Sequence, residues 1–218
     1  MLRRALSDPA LLFAWLVGDS GYGRDPVLRQ FCHEQAVAYV LAVPVDLPLV
    51  GVRGEPQRPD DLLGEGIWQR RSAGEGAKGH RYWDWQAHQV SVKDQSPAAG
   101  FTHTLLIRRA LHPTVTKAHP EGVREVEYFL AHHRHHTPIP ALIAAAGLRW
   151  NIEDDNKCGK DQCGLGDYQV RKWVPWHRHV TISMLAHAFL AVTRANLGKD
   201  PTPSPTPTPD RPPRSPGC

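Results

Sequence analysis

The feature of this sequence that most restricts its fold is a strand-helix-strand pattern near the start. Residues 13–18 (FAWLVG) and 37–43 (VAYVLAV) are compact apolar runs typical of buried strands. Between them, Asp25 and Pro26 are typical of a helix N-cap and first helical position. The helix is expected to bury four residues, Val27, Leu28, Phe31 and Cys32. Sites in such units lie beyond the carboxyl ends of the strands, so Asp19 is well placed for chemistry.

Farther along the chain the pattern becomes β-rich and then helical. Three β-like runs indicate a mainly antiparallel, basic insertion: residues 79–92, 101–110 and 126–132. Three helices are predicted after it: residues 139–147, ended by Gly147, residues 149–160, and residues 173–196, which need a large surface to pack on. This order favours one α/β fold interrupted by an insertion over tandem domains.

The charge distribution is uneven. Residues 1–66 carry six Lys or Arg against nine Asp or Glu, whereas residues 67–124 carry nine against four. The second block has enough positive charge to neutralise phosphates along a DNA duplex. An ordinary solvated basic face is an equally good interpretation of the composition alone.

No uncharged apolar run approaches the roughly 20 residues that span a bilayer, so we expect a cytoplasmic protein without a membrane segment. The four cysteines are too few for a disulfide framework, and the Cys158 and Cys163 pair is a weak zinc signal. The histidine-rich tract at residues 132–136 is interpreted as a solvated loop. Residues 200–218 are proline-rich and predicted to be disordered.

One segment suggests chemistry through its spacing. Arg149 and Glu153 are four residues apart, and Lys160 follows Glu153 by seven, so all three share one face of a helix. A carboxylate between two cations can ligate Mg²⁺ while the cations hold the phosphates of a DNA strand. The alternative is a solvated helix with ion pairs between successive turns.

This pattern, R-x3-E-x6-K, resembles the signature around the third acid of DDE transposases whose catalytic domain is interrupted by a β-strand insertion. Residues 150–176 are similar to the insertion-sequence-701 branch, and residues 17–23 (VGDSGYG) resemble the family's motif for the second acid. Segments within the insertion, residues 71–74 and 77–79, also resemble family sequence. Ala146 stands where the family often has Tyr.

The resemblance implies an α/β, partial ribonuclease-H-like catalytic fold, interrupted by a β-rich insertion and followed by C-terminal helices. It divides the chain into the first part of the core, the basic insertion, the helical part of the core and a disordered tail: residues 1–48, 49–136, 137–199 and 200–218. Trp173, Trp176, His177 and His179 are then expected to pack behind the catalytic site.

The implied activity is DNA cleavage and strand transfer at insertion-sequence ends. Asp19 and Glu153 would be catalytic ligands of a two-metal site holding Mg²⁺ or Mn²⁺. DNA, as terminal inverted repeats and target, would contact five basic residues: Arg149, Lys160, Arg70, Arg71 and Lys78. A homodimer or a full-length transposase would be the protein partner.

A third carboxylate is needed, and the family's first acid lies well upstream of the second. Asp8 is the sole acid before Asp19 and does not end an apolar strand. Asp154 and Asp155 point about 100° and 200° away from Glu153 around the helix and are expected to be solvated. The resemblance therefore implies a truncated transposase, incomplete for catalysis alone.

Two further hypotheses remain at the sequence level. One is a non-catalytic, DNA-binding or dimerising regulator of the full-length transposase, suggested by the basic insertion beside an incomplete metal site. The other is a remnant that does not fold stably, because a sheet without its first strands exposes an apolar edge.

Overall fold

The computed structural model describes residues 2–51, 53–76, 79–169 and 171–197. Its strands are β1 (Leu16–Gly18), β2 (Tyr39–Val43), β3 (Leu49–Val50), β4 (Pro56–Gln57), β5 (Gln69–Gly76), β6 (Gly79–Val92), β7 (Phe101–Arg109) and β8 (Val126–Arg134). Its α-helices are α1 (Leu2–Ser7), α2 (Ser20–Arg24), α3 (Pro26–Glu34), α4 (Ile139–Cys163) and α5 (Trp173–Leu197), with a 3-10 turn at Pro59–Leu62. The chain divides into two compact units, Met1–Glu153 and Asp154–Cys218.

The first unit is built on one sheet of eight strands. Along the sheet the order is β1-β2-β8-β7-β6-β3-β4, and β5 pairs with β6 outside this path. Among the strands of the described residues only β1 and β2 are parallel, and α2 and α3 connect them as the strand-helix-strand pattern predicts. All other pairings are antiparallel. The fold is therefore mixed α/β, with a mostly antiparallel sheet and helices at its C-terminal end.

Strands β6, β7 and β8 lie where the sequence predicts them, and β8 continues the sheet directly from β2. Tyr39 pairs with His132 and Val43 with Tyr128 across these two strands. The segment predicted as an insertion and the strand-helix-strand unit thus share backbone hydrogen bonds in one sheet.

Apolar side chains alternate between the two faces of this sheet because successive residues in a strand point to opposite sides. On one face, Leu41, Leu105 and Leu130 pack with Cys32 of α3. On the other face the core comprises Val40, Leu106 and Phe129 of the sheet with Leu142 and Ile143 of α4.

Helix α3 begins as predicted, but its buried face is rotated. The Asp25 side chain accepts a hydrogen bond of 2.8 Å from the Val27 backbone N–H, and Pro26 is the first helical residue. Val27, expected to be buried, is 74% exposed. Cys32 is buried as predicted and Leu28 packs partly buried against the core, but Arg29 and His33 are buried in addition. The N-cap of α3 was predictable from the local sequence. The face that α3 buries depends instead on how the helix packs against the sheet.

Helix α4 is one continuous helix, so the prediction of two helices separated at Gly147 was wrong. Gly147 does not end a helix; it lies where β5 crosses α4. A Cβ atom at this position would lie 1.7 Å from the carbonyl oxygen of Ala73. A glycine required for close packing has the same local signature as one that terminates a helix.

The edge strand β1 is shorter than predicted, since Phe13 lies outside it and is 42% exposed. The predicted proline-rich tail, Lys78 and Cys218 lie outside the described residues. Cys32, Cys158 and Cys163 are free thiols.

Helix α5, in the second unit, exposes most of its apolar surface. Ten large apolar side chains along it are exposed, including Trp173 at 69% and Trp176 at 41%, so the expectation that these tryptophans are core was wrong. The helix is also long and apolar enough to cross a membrane, and very little of it is buried. Length and composition alone are weak support for a span, and Pro175, His177 and Arg178 lie in its first turns.

Candidate functional site

Asp19 lies directly after β1 and caps α2. Its Oδ1 atom accepts hydrogen bonds from the backbone N–H groups of Gly21 at 2.9 Å and Tyr22 at 3.4 Å. These bonds satisfy amide groups that a helix start leaves without partners. The residue is exposed. One carboxylate oxygen is therefore used by the backbone, and Oδ2 makes no hydrogen bond among the described residues.

The carboxyl end of β1 and the start of β8 lie at the same edge of the sheet, the edge formed by the strand ends. Gly18 pairs with Leu41 in parallel, and Val43, two residues farther along β2, pairs with Tyr128 in antiparallel. Glu127 precedes Tyr128 and therefore lies at the same edge, two strands away from Asp19. Two strand spacings correspond to roughly 10 Å across the sheet.

Glu153 is connected to this edge through Arg149. The Nη1 atom of Arg149 lies 3.5 Å from Glu153 Oε1, and its Nη2 atom lies 3.9 Å from Glu127 Oε1. The Glu153 side chain is 51% exposed, whereas that of Arg149 is 23% exposed. The spacing of four residues between Arg149 and Glu153 thus produces an ion pair within α4. Arg149 also connects α4 to the start of β8 through Glu127.

Two further arginines surround Glu127 and Arg149. Arg108 donates a hydrogen bond to Glu127 Oε2, and its guanidinium lies 4.0 Å from the centre of the Trp83 ring. Arg81 donates to the Gly147 carbonyl oxygen at 3.4 Å. We call Arg81, Arg108 and Arg149, with Glu127 among them, the arginine cluster.

The electrostatics of the arginine cluster favour an added anion. Burial lowers the pKa of Arg108, Glu127 raises it, and the adjacent positive charges of Arg149 and Arg81 lower it. A guanidinium group remains charged even so. Arg108 and Arg149 thus pair with Glu127 and Glu153, Arg81 pairs with a backbone carbonyl oxygen, and a phosphate group could balance the third positive charge.

The remaining basic residues predicted to bind DNA are dispersed. Arg70 on β5 lies 3.3 Å from Asp84 Oδ1, and Arg109 binds the other oxygen of Asp84 at the same distance. Arg71 donates to the side chain of Gln69 at 3.1 Å and 3.0 Å. Lys160 is exposed on α4, beyond the boundary of the first unit. Arg70 is thus engaged by an acid, while Arg71 and Lys160 remain accessible.

The described residues contain a different cluster of ligand-type side chains, which the sequence did not predict. His33, His103 and His132 are buried, with ligand nitrogens that all lie within 4.8 Å of one another. In the described part of the chain this is the group of three or more His, Cys, Asp or Glu residues compact enough to hold a metal ion, and it includes neither Asp19 nor Glu153.

The interpretation of residues 132–136 as a solvated loop was wrong for its first two residues. His132 is 0% exposed and His133 is 4% exposed, and both belong to β8. The signal was alternation: His132 shares the face of Leu130, and His103 shares that of Leu105 and Ile107. Because every residue of the histidine run is polar, the alternation of its side chains between the two faces of the sheet was not visible in the sequence.

Burial keeps the imidazoles of this cluster neutral. The pKa of His33 is lowered to about 4 and that of His103 to about 3, first by loss of solvation and then by the neighbouring histidines. The pKa of His132 is also lowered by burial, although its hydrogen bond to Val37 raises it. Neutral imidazoles are the form that ligates metal ions.

No protein-family model matches this chain, and no curated protein matches it at a significant level.

Proposed function

We propose that this chain is the part of a DDE-type DNA transposase that carries the second and third catalytic acids, with a ribonuclease-H-like core. The observation that carries the proposal is the arrangement of Asp19 and Glu153. Asp19 follows a parallel strand, and Glu153 lies on a helix tied through Arg149 and Glu127 to the same sheet edge. Two-metal phosphoryl transfer requires carboxylates from separate elements to converge on shared ions, and the common sheet edge supports such a convergence.

The donor set suits a hard cation. Asp19 uses Oδ1 in its cap, and Glu153 uses Oε1 with Arg149, so each carboxylate keeps one oxygen without a partner among the described residues. Carboxylate oxygens are preferred ligands of Mg²⁺ and Mn²⁺. When bound, two such ions would activate water or a 3′-hydroxyl and stabilise the leaving oxygen.

The residues of the chain have distinct roles in this proposal. Asp19 and Glu153 hold the ions, and Arg149 both orients Glu153 and offers positive charge to a DNA phosphate. Arg71 adds positive charge for a phosphate contact on the first unit, and Lys160 adds it for a separate contact on the second. A third carboxylate is needed to complete the metal site, so we expect cleavage only when a polypeptide that bears this acid and its strands is supplied.

A cleavage assay tests the proposal. The chain is mixed with the complementing polypeptide, Mn²⁺ and duplex DNA from the flanks of its own reading frame. The Asp19→Asn variant retains an oxygen for the helix cap but loses the charge, and Glu153→Gln does the same on α4. We expect each to reduce cleavage by at least about 100-fold. Asp25→Asn, at the other aspartate N-cap, is the matched control and keeps full activity.

Cleavage that is unchanged in both Asp19→Asn and Glu153→Gln would overturn the transposase proposal. Cleavage by the chain without the complementing polypeptide, lost in Asp19→Asn, would overturn the incompleteness of its site while retaining the two carboxylates.

A second candidate function is a non-catalytic regulator that dimerises with itself or with a full-length transposase. Helix α5 favours it, because Ile182, Leu185, Phe189 and Val192 are each at least 60% exposed. Their spacing of three, four and three residues is the repeat of a coiled-coil seam. An exposed apolar stripe of this kind is typical of an association surface.

Sedimentation equilibrium tests this candidate. We expect a concentration-dependent dimer that Leu185→Lys disrupts. Met184→Lys is the matched control, since Met184 is 63% exposed but lies on another side of the helix. A monomer at all concentrations, or equal disruption by both substitutions, would exclude the seam.

DNA is a partner of the transposase and of a regulator that acts by binding DNA, and a gel-shift titration against salt measures this binding. Phosphate-dominated binding must weaken steeply as salt rises, and replacing one phosphate contact reduces that slope by about one. We expect Arg71→Ala and Lys160→Ala each to reduce the slope. We also propose the cytoplasm, where bacterial DNA is found, as the location.

A further inference from the structure

The buried histidine cluster has a geometry that hydrogen bonding alone satisfies poorly. The Nε2 atoms of His33 and His103 lie 3.1 Å apart, and the Tyr39 hydroxyl lies 3.1 Å from the same His33 nitrogen. A neutral imidazole that accepts through Nε2 has a single lone pair there. In the other tautomer Nε2 carries a single N–H, so in either tautomer only one of the two contacts is a full hydrogen bond.

His132 is already in the tautomer that a metal ligand needs. Its Nδ1 atom lies 2.8 Å from the Val37 carbonyl oxygen, which can only accept, so Nδ1 carries the proton. The Nε2 lone pair is consequently available, and the Ala98 backbone N–H donates to it at 3.1 Å. A histidine that ligates through one nitrogen and donates from the other to a backbone carbonyl is the usual arrangement around protein-bound metals.

We propose that His33, His103 and His132 form a zinc site, each ligating through Nε2, with the Tyr39 hydroxyl oxygen at the fourth position. Three imidazoles with one oxygen ligand are a known donor set for four-coordinate Zn²⁺. Ligand nitrogens about 2.0 Å from a tetrahedral ion lie roughly 3.4 Å from each other. The separation of 3.1 Å between His33 and His103 is close to this value.

The surroundings of the site fix the rings before an ion arrives. The Phe101 ring stacks on His132 with centroids 4.5 Å apart, and Tyr39 stacks on it from 5.2 Å. Nearby Arg29 donates to the Gly23 carbonyl oxygen and to Gln95, and its positive charge contributes to the lowered pKa of His33 and His103. The ligands come from α3, β2, β7 and β8, so the ion would cross-link the helix to three strands.

An ion can approach through the connection between β6 and β7. A cavity of about 230 Å³ is lined by His103, Ser91, Thr102 and Pro97, among others. Ala98 follows Pro97 and is partly exposed. Ligation through His132 Nε2 requires displacement of the Ala98 N–H, which belongs to a loop rather than a strand.

Zinc and cobalt titrations of chelator-treated, full-length protein test the site. We expect one Zn²⁺ per chain by calorimetry and elemental analysis, and a higher melting temperature with zinc. With Co²⁺ we expect the visible absorption of a tetrahedral ion. X-ray absorption of the zinc-bound wild type is expected to show nitrogen ligands at about 2.0 Å.

Matched variants locate the ion. His103→Gln and His33→Gln are expected to weaken zinc binding at least about 100-fold, since even outer-shell changes cost 10- to 100-fold. His133→Gln is the control for a buried histidine on the opposite face, where its Nε2 contacts Thr104 at 2.8 Å. The double variant His135→Gln/His136→Gln removes two exposed histidines that follow β8, and both controls retain zinc.

Three results would overturn the zinc site: no stoichiometric binding by the wild type, binding abolished by the exposed double variant, or an oxygen-dominated, octahedral absorption spectrum. If circular dichroism shows that the His33→Gln and His103→Gln variants do not fold, the cobalt and X-ray absorption spectra of the wild type still test the zinc site. Asp19→Asn and Glu153→Gln leave zinc binding unchanged, so failure of the transposase proposal is distinguishable from failure of this one.

Discussion

Gly147 of α4 and Ala73 of β5 approach each other so closely that no side chain fits between them. A Cβ atom at Gly147 would lie 1.7 Å from the Ala73 carbonyl oxygen and 3.2 Å from the Ala73 Cβ atom. This contact holds the middle of a 25-residue helix against the sheet. The same helix carries Arg149 and Glu153, two and six residues after Gly147.

Gly147→Ala is expected to destabilise the protein by about 3 kcal/mol, as in strong overpacking. Helix propensity alone predicts the opposite, a gain of about 1 kcal/mol for alanine in a helix interior. Urea unfolding measures the sign. Gly159→Ala is the control in the same helix, because its Cβ would meet only the Leu165 side chain, at 3.3 Å. A stabilised Gly147→Ala protein would contradict the contact.

Glu127→Gln is expected to lower the free energy of unfolding by about 2 kcal/mol. The Arg108 side chain is 9% exposed and would lose its carboxylate partner, leaving a buried charge uncompensated. The expected loss of stability is smaller than for a fully buried ion pair because the Glu127 side chain is 29% exposed. Chemical denaturation provides the measurement.

Asp46→Asn is the control for this ion pair. Arg24 and Asp46 lie 3.9 Å apart with side chains 70% and 66% exposed, so this pair is expected to contribute under about 0.5 kcal/mol. Equal effects of the two substitutions would show that Arg108 does not depend on Glu127.

Cys32 is expected to resist alkylation in the native protein. Its side chain is 0% exposed, and burial raises the pKa of the thiol to about 11, so little thiolate forms near neutral pH. Cys158 and Cys163 are partly exposed and react first. Mass spectrometry after timed labelling with N-ethylmaleimide follows each site. Labelling of Cys32 as fast as Cys158 in folded protein would refute its burial, and urea is expected to remove the difference.

Asp25→Ala is expected to cost about 1 kcal/mol through loss of the α3 cap. The carboxylate satisfies the Val27 N–H at 2.8 Å, and alanine leaves that donor to water. Asp25→Ser retains a cap oxygen and restores most of the stability, as thermal unfolding would report. A serine variant as unstable as the alanine variant would mean that the cap bond is not the cause.

Features encoded by neighbours in sequence were predictable. The Asp25 cap, the parallel strand pair and the limits of β6, β7 and β8 follow from turn chemistry and alternation, and the structure agrees within a few residues. The exposed Val27 was not predictable, because the face that a helix buries is set by the sheet beneath it.

Features set by distant contacts were not predictable. Gly147 has the local signature of a helix end. Glycine is required there, however, because a strand about seventy residues earlier in the chain packs against it. His33 and His103 are likewise 70 residues apart, so neither indicates the other without the sheet order. The Arg149 and Glu153 pair was visible as a spacing, but its connection to Glu127 required the register of β8.

The three-residue strand β1 is paired with β2 along one edge and is preceded by exposed Leu11, Leu12 and Phe13. A polypeptide that adds to its outer edge would therefore extend the strand backwards and cover these side chains in the same event. Association there would be calorimetrically recognisable, because burying apolar surface while ordering backbone gives a negative heat-capacity change of binding.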